Sequence, residues 1–153
     1  MSGSQQLLVI GAILLFSLLT INANRTIRTA TELTLDAEHI ITATSIGEEL
    51  IAEASARYFD ETTDGTNIVS VNEFTPAQSL GPENGESYPN YDDVDDFNLL
   101  TKSFDTPRLG QFTANILVEY TDPLHPDELT PSKTRMKRIR VQVSNPSLNQ
   151  PIV

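Results

Sequence analysis

LLVIGAILLFSLLTI, Leu7 to Ile21, is an uncharged apolar run, flanked by small or polar residues from Ser2 to Gln6 and from Asn22 to Asn24. A bilayer crossing takes roughly 20 apolar residues, with a lower limit of about 17, so this run spans a membrane if Gln5, Gln6 and Asn22 sit at its interfaces. A cleaved secretory signal is the competing reading. Against it, no basic residue stands between Met1 and the run, and no small-x-small site follows. The nearest cations, Arg25 and Arg28, lie on the C-terminal side, and the positive-inside rule alone would leave the following domain in the cytoplasm. Removal of a short basic leader ahead of Met1 is the expectation that reconciles the two.

The helix is expected to continue past the apolar head. Between Ser4 and Asp60 there is no proline and the only glycines are Gly11 and Gly47, so nothing forces a break. At about 1.5 Å per residue such a helix would reach roughly 80 Å. Ile27, Ala30, Leu33, Ala37, Ile40, Ile41, Thr44, Ile51, Ala54 and Tyr58 follow three- and four-residue steps and predict a docking stripe. Arg28, Glu32, Asp36, Glu38, Glu48, Glu49 and Glu53 lie opposite, as a solvated face. Many threonines lower the intrinsic propensity, so packing must hold this half. Gly11 and Ala12 would let neighbouring helices approach closely.

Composition changes after Asp60. DETTDGTN reads as a helix exit, with a boundary near Thr62, and Ile68 to Phe74 as a short strand. Thr75 to Asn90, with three prolines and two glycines, reads as an irregular loop. The clearest strand is Gln111 to Tyr120, with Phe112, Ala114, Ile116, Val118 and Tyr120 on one face. Its expected partner is Met136 to Ser144, where Lys137, Ile139, Val141 and Val143 share a side. The linker TDPLHPDELTPSKT carries three prolines, so the pair should be a long-looped antiparallel hairpin. The fold class expected is α+β: a long N-terminal helix packed on a small antiparallel sheet. Its divisions are 1–24 (apolar), 25–60 (amphipathic helix) and 61–153 (β domain).

The chain's 153 residues carry a formal charge of -11, from 21 acidic and 10 basic residues, which disfavours nucleic acid and anionic lipid as partners. It has no cysteine, which removes disulfides, thiolate zinc sites and cysteine nucleophiles. The densest chemical grouping is Asp92, Asp93, Asp95 and Asp96, a candidate calcium set because calcium takes six to eight oxygen ligands. The spacing departs from the D-x-[DN]-x-[DN]-G calcium loop, and the bland alternative is that Asp92 or Asp93 caps a turn while the others face water. Lys133, Arg135, Lys137, Arg138 and Arg140 form a basic cluster, either solvated or set against acidic residues of a neighbouring subunit. His39 and His125 have no nucleophile or metal motif beside them, and no phosphate loop or G-x-S-x-G elbow occurs. The chain is therefore not expected to be an enzyme.

The long helix with its apolar head, the hairpin VEYTDP…KTRMKRIRVQVSNP and the loop YDDVDDFN together resemble type IV pilin-like proteins. The likeness is to minor pilins and pseudopilins related to pilus modification proteins and to mannose-sensitive haemagglutinin minor pilins, and it covers most of the chain. It implies a structural subunit of a type IV pilus or type II secretion filament. The helix head would rest in the inner membrane before assembly, with the C-terminal domain outside the cytoplasm, and then pack against other pilin-like subunits in a periplasmic or extracellular filament. No cofactor is required for that. Met1, Gln5, Gly11 and Phe16 are the assembly contacts it implies. The family usually has glutamate at the fifth mature position, where this chain has Gln5 if Met1 is the first; the departure fits a tip or priming position. The alternative is a membrane-tethered binding module that never polymerises and meets its partner through Thr75 to Phe104.

Overall fold

A chain with no proline before Pro76 can hold one helix for a very long way. In the computed structural model, which describes residues 3–63 and 70–153, helix α1 spans Gly3–Ser55, 53 residues. Three antiparallel strands follow, β1 (Thr101–Thr106), β2 (Gly110–Tyr120) and β3 (Lys137–Ser144), in the order β1-β2-β3. The fold class is α+β. Two units divide the chain, Met1–Glu38 and His39–Val153.

Within the first unit, the described part of α1 exposes nearly every side chain, including Leu7, Leu8, Leu15, Phe16 and Leu19. Among the described residues this is the helix long and apolar enough to cross a membrane. Its hydroxyls are satisfied without leaving the helix. Ser17 donates to the Ile13 carbonyl at 2.8 Å and Thr20 to the Phe16 carbonyl at 2.9 Å, so neither is left unpaired in an apolar medium.

In the second unit, the core side of α1 is His39, Ala43, Ile46, Leu50 and Ala54. This corrects the stripe expected from sequence. Ile40, Ile41, Ile51 and Tyr58 are all exposed, and only Ala54 of that stripe beyond His39 is buried. The reason is steric. The facing sheet supplies the bulk, with Phe112, Ile116, Val141 and Val143 in the core. On its core side the helix sets the small residues Ala43, Gly47 and Ala54 among Ile46 and Leu50, and a Cβ on Gly47 would come 3.8 Å from Val143 Cγ2. Ile40, Ile41 and Ile51 are left exposed. Burying Ile46 and Leu50 is worth about 1.5–3 kcal/mol each.

The hairpin between β2 and β3 is as expected, with Ile116 opposite Val141 and Val118 opposite Ile139. Strand β1 has no counterpart in the sequence reading. It pairs with β2 through the turn Pro107 to Leu109, closed by Gly110 at φ 77, a left-handed conformation that glycine adopts without strain. Ser70 to Phe74 of the expected Ile68–Phe74 strand is instead a single 3-10 turn at Val71–Glu73, and Ile68 and Val69 lie outside the described residues. The helix also stops earlier than the expected exit. Arg57 N–H turns back to the Ala54 carbonyl at 3.1 Å, and Tyr58 then exchanges backbone bonds with Asp92 and Val94, at 3.1 and 2.9 Å. That exchange ties the helix exit to the acidic loop.

Candidate functional site

A 3-10 turn at Asp95–Phe97 organises the acidic loop, and its aspartates build it. Asp93 Oδ1 accepts the N–H groups of Asp95 (2.6 Å) and Asp96 (3.2 Å), while Asp96 Oδ2 accepts those of Asp92 (3.1 Å) and Asp93 (3.3 Å). Each carboxylate thus caps the other's backbone, in the manner of a capping box. Apolar neighbours bury the turn: Tyr91 and Phe97 meet edge to face, ring centroids 5.2 Å apart.

Asp93, Asp95 and Asp96 are completely buried and Asp92 is exposed. The expectation that the residues not used for capping face water fails here, because the turn folds inward. Asp95 meets the ammonium of Lys137, itself 2% exposed at its side chain. Lys137 Nζ also donates to the Phe59 carbonyl at 2.6 Å and to Asp60 Oδ2 at 3.2 Å, and it lies 4.3 Å from the centre of the Phe59 ring. All three of its N–H bonds are spoken for. Asp60 is further held by the Thr75 N–H at 2.9 Å and the Thr62 hydroxyl at 2.8 Å, and the Tyr120 hydroxyl bonds the Thr75 carbonyl at 2.9 Å.

This arrangement sets the protonation of the site. Burial works to raise Asp60, but the Thr75 N–H, the Thr62 hydroxyl and Lys137 outweigh it and hold the carboxyl below its usual range. Burial pushes Asp93 up to about 7, helped by the charges of Asp95 and Asp96. Asp95 is pushed up to about 6 by burial, against the pull of Lys137. Burial raises Asp96 as well.

The four aspartates proposed as a calcium set therefore divide. Asp95 is committed to Lys137, Asp93 caps the turn, and Asp92 points to solvent while donating its N–H inward. Asp96 alone joins a carboxylate group of metal-ligand dimensions, and its companions are Glu83 and Glu86. The sequence reading passed over both because they lie in the proline-rich loop and outside the acidic run. A tight turn carries them, with the Glu86 N–H on the Glu83 carbonyl at 3.1 Å and Gly85 at φ 104.

The basic cluster also divides. Lys137 is an interior residue, neither solvated nor available to a neighbour; Arg138 pairs with Glu119 at 3.0 Å; Lys133 donates to the Asn72 carbonyl at 2.9 Å. His39 packs near Phe112, ring centroids 6.1 Å apart, and His125 is exposed beside Asp122. Of the assembly contacts, Met1 lies outside the described residues. Gln5 and Phe16 are exposed on α1, and Gly11 has nothing within 4 Å of where a Cβ would stand. Nothing inside the described chain therefore requires glycine at position 11. Compared with protein-family models, curated proteins and solved structures, the chain matches none.

Proposed function

We propose that this chain is a structural subunit, minor pilin or pseudopilin in kind, of a type IV pilus or type II secretion filament. It is held in the inner membrane by the head of α1 before assembly, with the His39–Val153 unit outside the cytoplasm, and its partners are other pilin-like subunits. The observation that carries the reading is the continuity of α1: a segment apolar on every side and exposed on every side runs without a break into a helix that forms part of a folded core. A helix that only anchors needs no apolar residues beyond the bilayer. Yet Ile27, Leu33, Ile40, Ile41 and Ile51 are all exposed, and solvated isoleucine and leucine in such number favour a helix meant to be covered by other helices.

The absence of native cysteine makes the test clean. Phe16→Cys and Ile41→Cys are introduced singly in the producing cells, membranes and sheared surface filaments are separated, and a short bis-maleimide is added. Subunits of a filament give a cross-linked dimer from each of the two positions, and the chain appears in the mass spectra of the sheared material. A chain that stays monomeric in the membrane fraction from both positions, and is missing from the filaments, is a tethered module instead.

A further inference from the structure

We propose that Glu83, Glu86 and Asp96 form a binding site for a calcium ion, separate from the Lys137 ion pairs. One carboxylate oxygen from each of the three lies within 4.8 Å of the others. Oxygens on opposite sides of one calcium ion, each at about 2.4 Å from it, stand about this far apart. Two of the ligands are prearranged by backbone: Glu83 and Glu86 are the ends of one turn, and the Glu83 N–H bonds Glu86 Oε2 at 3.3 Å, which fixes the Glu86 carboxylate beside it. The third is fixed from below. Asp96 is tied through Oδ2 to the Asp92 and Asp93 N–H groups.

Proximity of acidic groups is common without an ion, and a second observation distinguishes this set. Asp96 is completely buried, and its Oδ1, like Asp93 Oδ2 and Asp95 Oδ2, has no hydrogen-bond partner; of these three carboxylates, that of Asp96 is the one grouped with Glu83 and Glu86. A buried carboxylate oxygen with nothing to accept is costly, and a metal ion is among the few things that relieve it. The surrounding charge points the same way. Asp60, Asp93, Asp95 and Asp96 are fully buried, and among the described residues Lys137 is the cation paired with them, through Asp60 and Asp95. Lys137 is taken up by Asp60 and Asp95, and Arg138 by Glu119. Glu83 and Glu86 lie toward the surface, which leaves an entry path and room for the waters that complete a calcium shell.

The site would pin the loop from Gly81 to Asn90 onto the turn at Asp95–Phe97, a role suited to a domain without disulfides. The full-length chain in detergent micelles, stripped with a chelator, is titrated with calcium chloride while thermal unfolding is followed by tyrosine fluorescence. A bound ion raises Tm with calcium concentration, by mass action. Glu86→Gln keeps an oxygen for the Glu83 N–H and removes the charge, and it should weaken the apparent calcium affinity at least tenfold, as should Glu83→Gln. Both substitutions are near the surface and leave the caps of Asp96 intact. Asp92→Asn, at the exposed member of the run, should leave the affinity unchanged. No rise in Tm up to 10 mM calcium (~10 mM, the weak end of extracellular calcium modules), or a rise of equal size in both glutamine variants, overturns the proposal.

Discussion

Lys137→Met is the substitution that most directly probes how the second unit is held together. Methionine keeps most of the side-chain length over the Phe59 ring, where Nζ now sits 4.3 Å from the ring centre, so the loss is mainly of charge and donors. Three groups lose a partner: the Phe59 carbonyl, Asp60 and Asp95. Asp60 keeps the Thr75 N–H and the Thr62 hydroxyl and is buffered. Asp95 is not, since its Oδ2 is already buried without a partner. Removing one member of a buried pair costs about 3–5 kcal/mol. With a urea m-value of about 2 kcal/mol/M, the midpoint should fall by roughly 2 M. The chain has no tryptophan and four tyrosines, one of them Tyr120 in this core, so tyrosine fluorescence reads the transition. The loss should shrink between pH 8 and pH 5, because Asp95, already pushed up to about 6, escapes by taking a proton. Pairing Lys137→Met with Asp95→Leu should recover much of the stability. A midpoint shift below about 0.5 M, the scale of an exposed ion pair, would refute the interior role given to Lys137.

Three further outcomes follow from other parts of the molecule. With divalent ions chelated, Asp93 and Asp95, raised to about 7 and about 6, bind protons more tightly folded than unfolded. Their contribution is complete below the ordinary value of 3.8 and is lost as pH rises through those values. Asp60, held below 3.8, works in the opposite sense and contributes above that value. Thermal stability should therefore rise from pH 8 to pH 5 and fall again below about 4; a flat profile from 8 to 5 contradicts the burial of the loop. Ile41→Glu, at a residue 65% exposed, should leave Tm unchanged and abolish recovery of the chain in sheared filaments; normal recovery would count against helix-to-helix assembly there. Leu99 is exposed with φ 62, a conformation that costs an L-residue about 1–2 kcal/mol, so Leu99→Gly should stabilise by about 0.5–1 kcal/mol after glycine's added chain entropy, measured as a urea midpoint shift.

What could be read in the sequence was whatever rests on local patterning. An uninterrupted proline-free segment makes α1, and strict alternation from Phe112 to Tyr120 makes β2 and puts those residues inside. The burial stripe of α1 could not be read that way. The helix has apolar residues on more than one face, and the choice between them depends on the sheet's bulky side chains, which come from residues 112–143. Strand β1 was missed for a related reason: Thr101, Ser103 and Asp105 are exposed while Lys102, Phe104 and Thr106 are only half-buried, so its alternation lacks a clear apolar side. At the acidic loop, the sequence marked the right residues and the wrong environment. Four aspartates within five positions look like a solvated or metal-binding surface, because Lys137, the cation that holds Asp95 inside, lies 42 residues away and meets it only when distant segments come together.

The interior position of those aspartates accounts for how a domain without disulfides closes its longest loops. Lys137 joins Asp60, 77 residues earlier, to Asp95, 42 residues earlier, at the point where Tyr58 also exchanges backbone bonds with Asp92 and Val94. Helix exit, acidic loop and the start of β3 thus converge on one ammonium group. Burying charges contributes little net stability compared with an apolar core of the same shape. What it does supply is selectivity, because a register shift of β3 by one residue would put Arg138 or Met136 where Lys137 stands and strand the aspartates unpaired. The same arrangement leaves Asp96 with an unpartnered oxygen, so the chemistry that fixes the register also leaves the negative charge that a calcium ion between Glu83, Glu86 and Asp96 would neutralise.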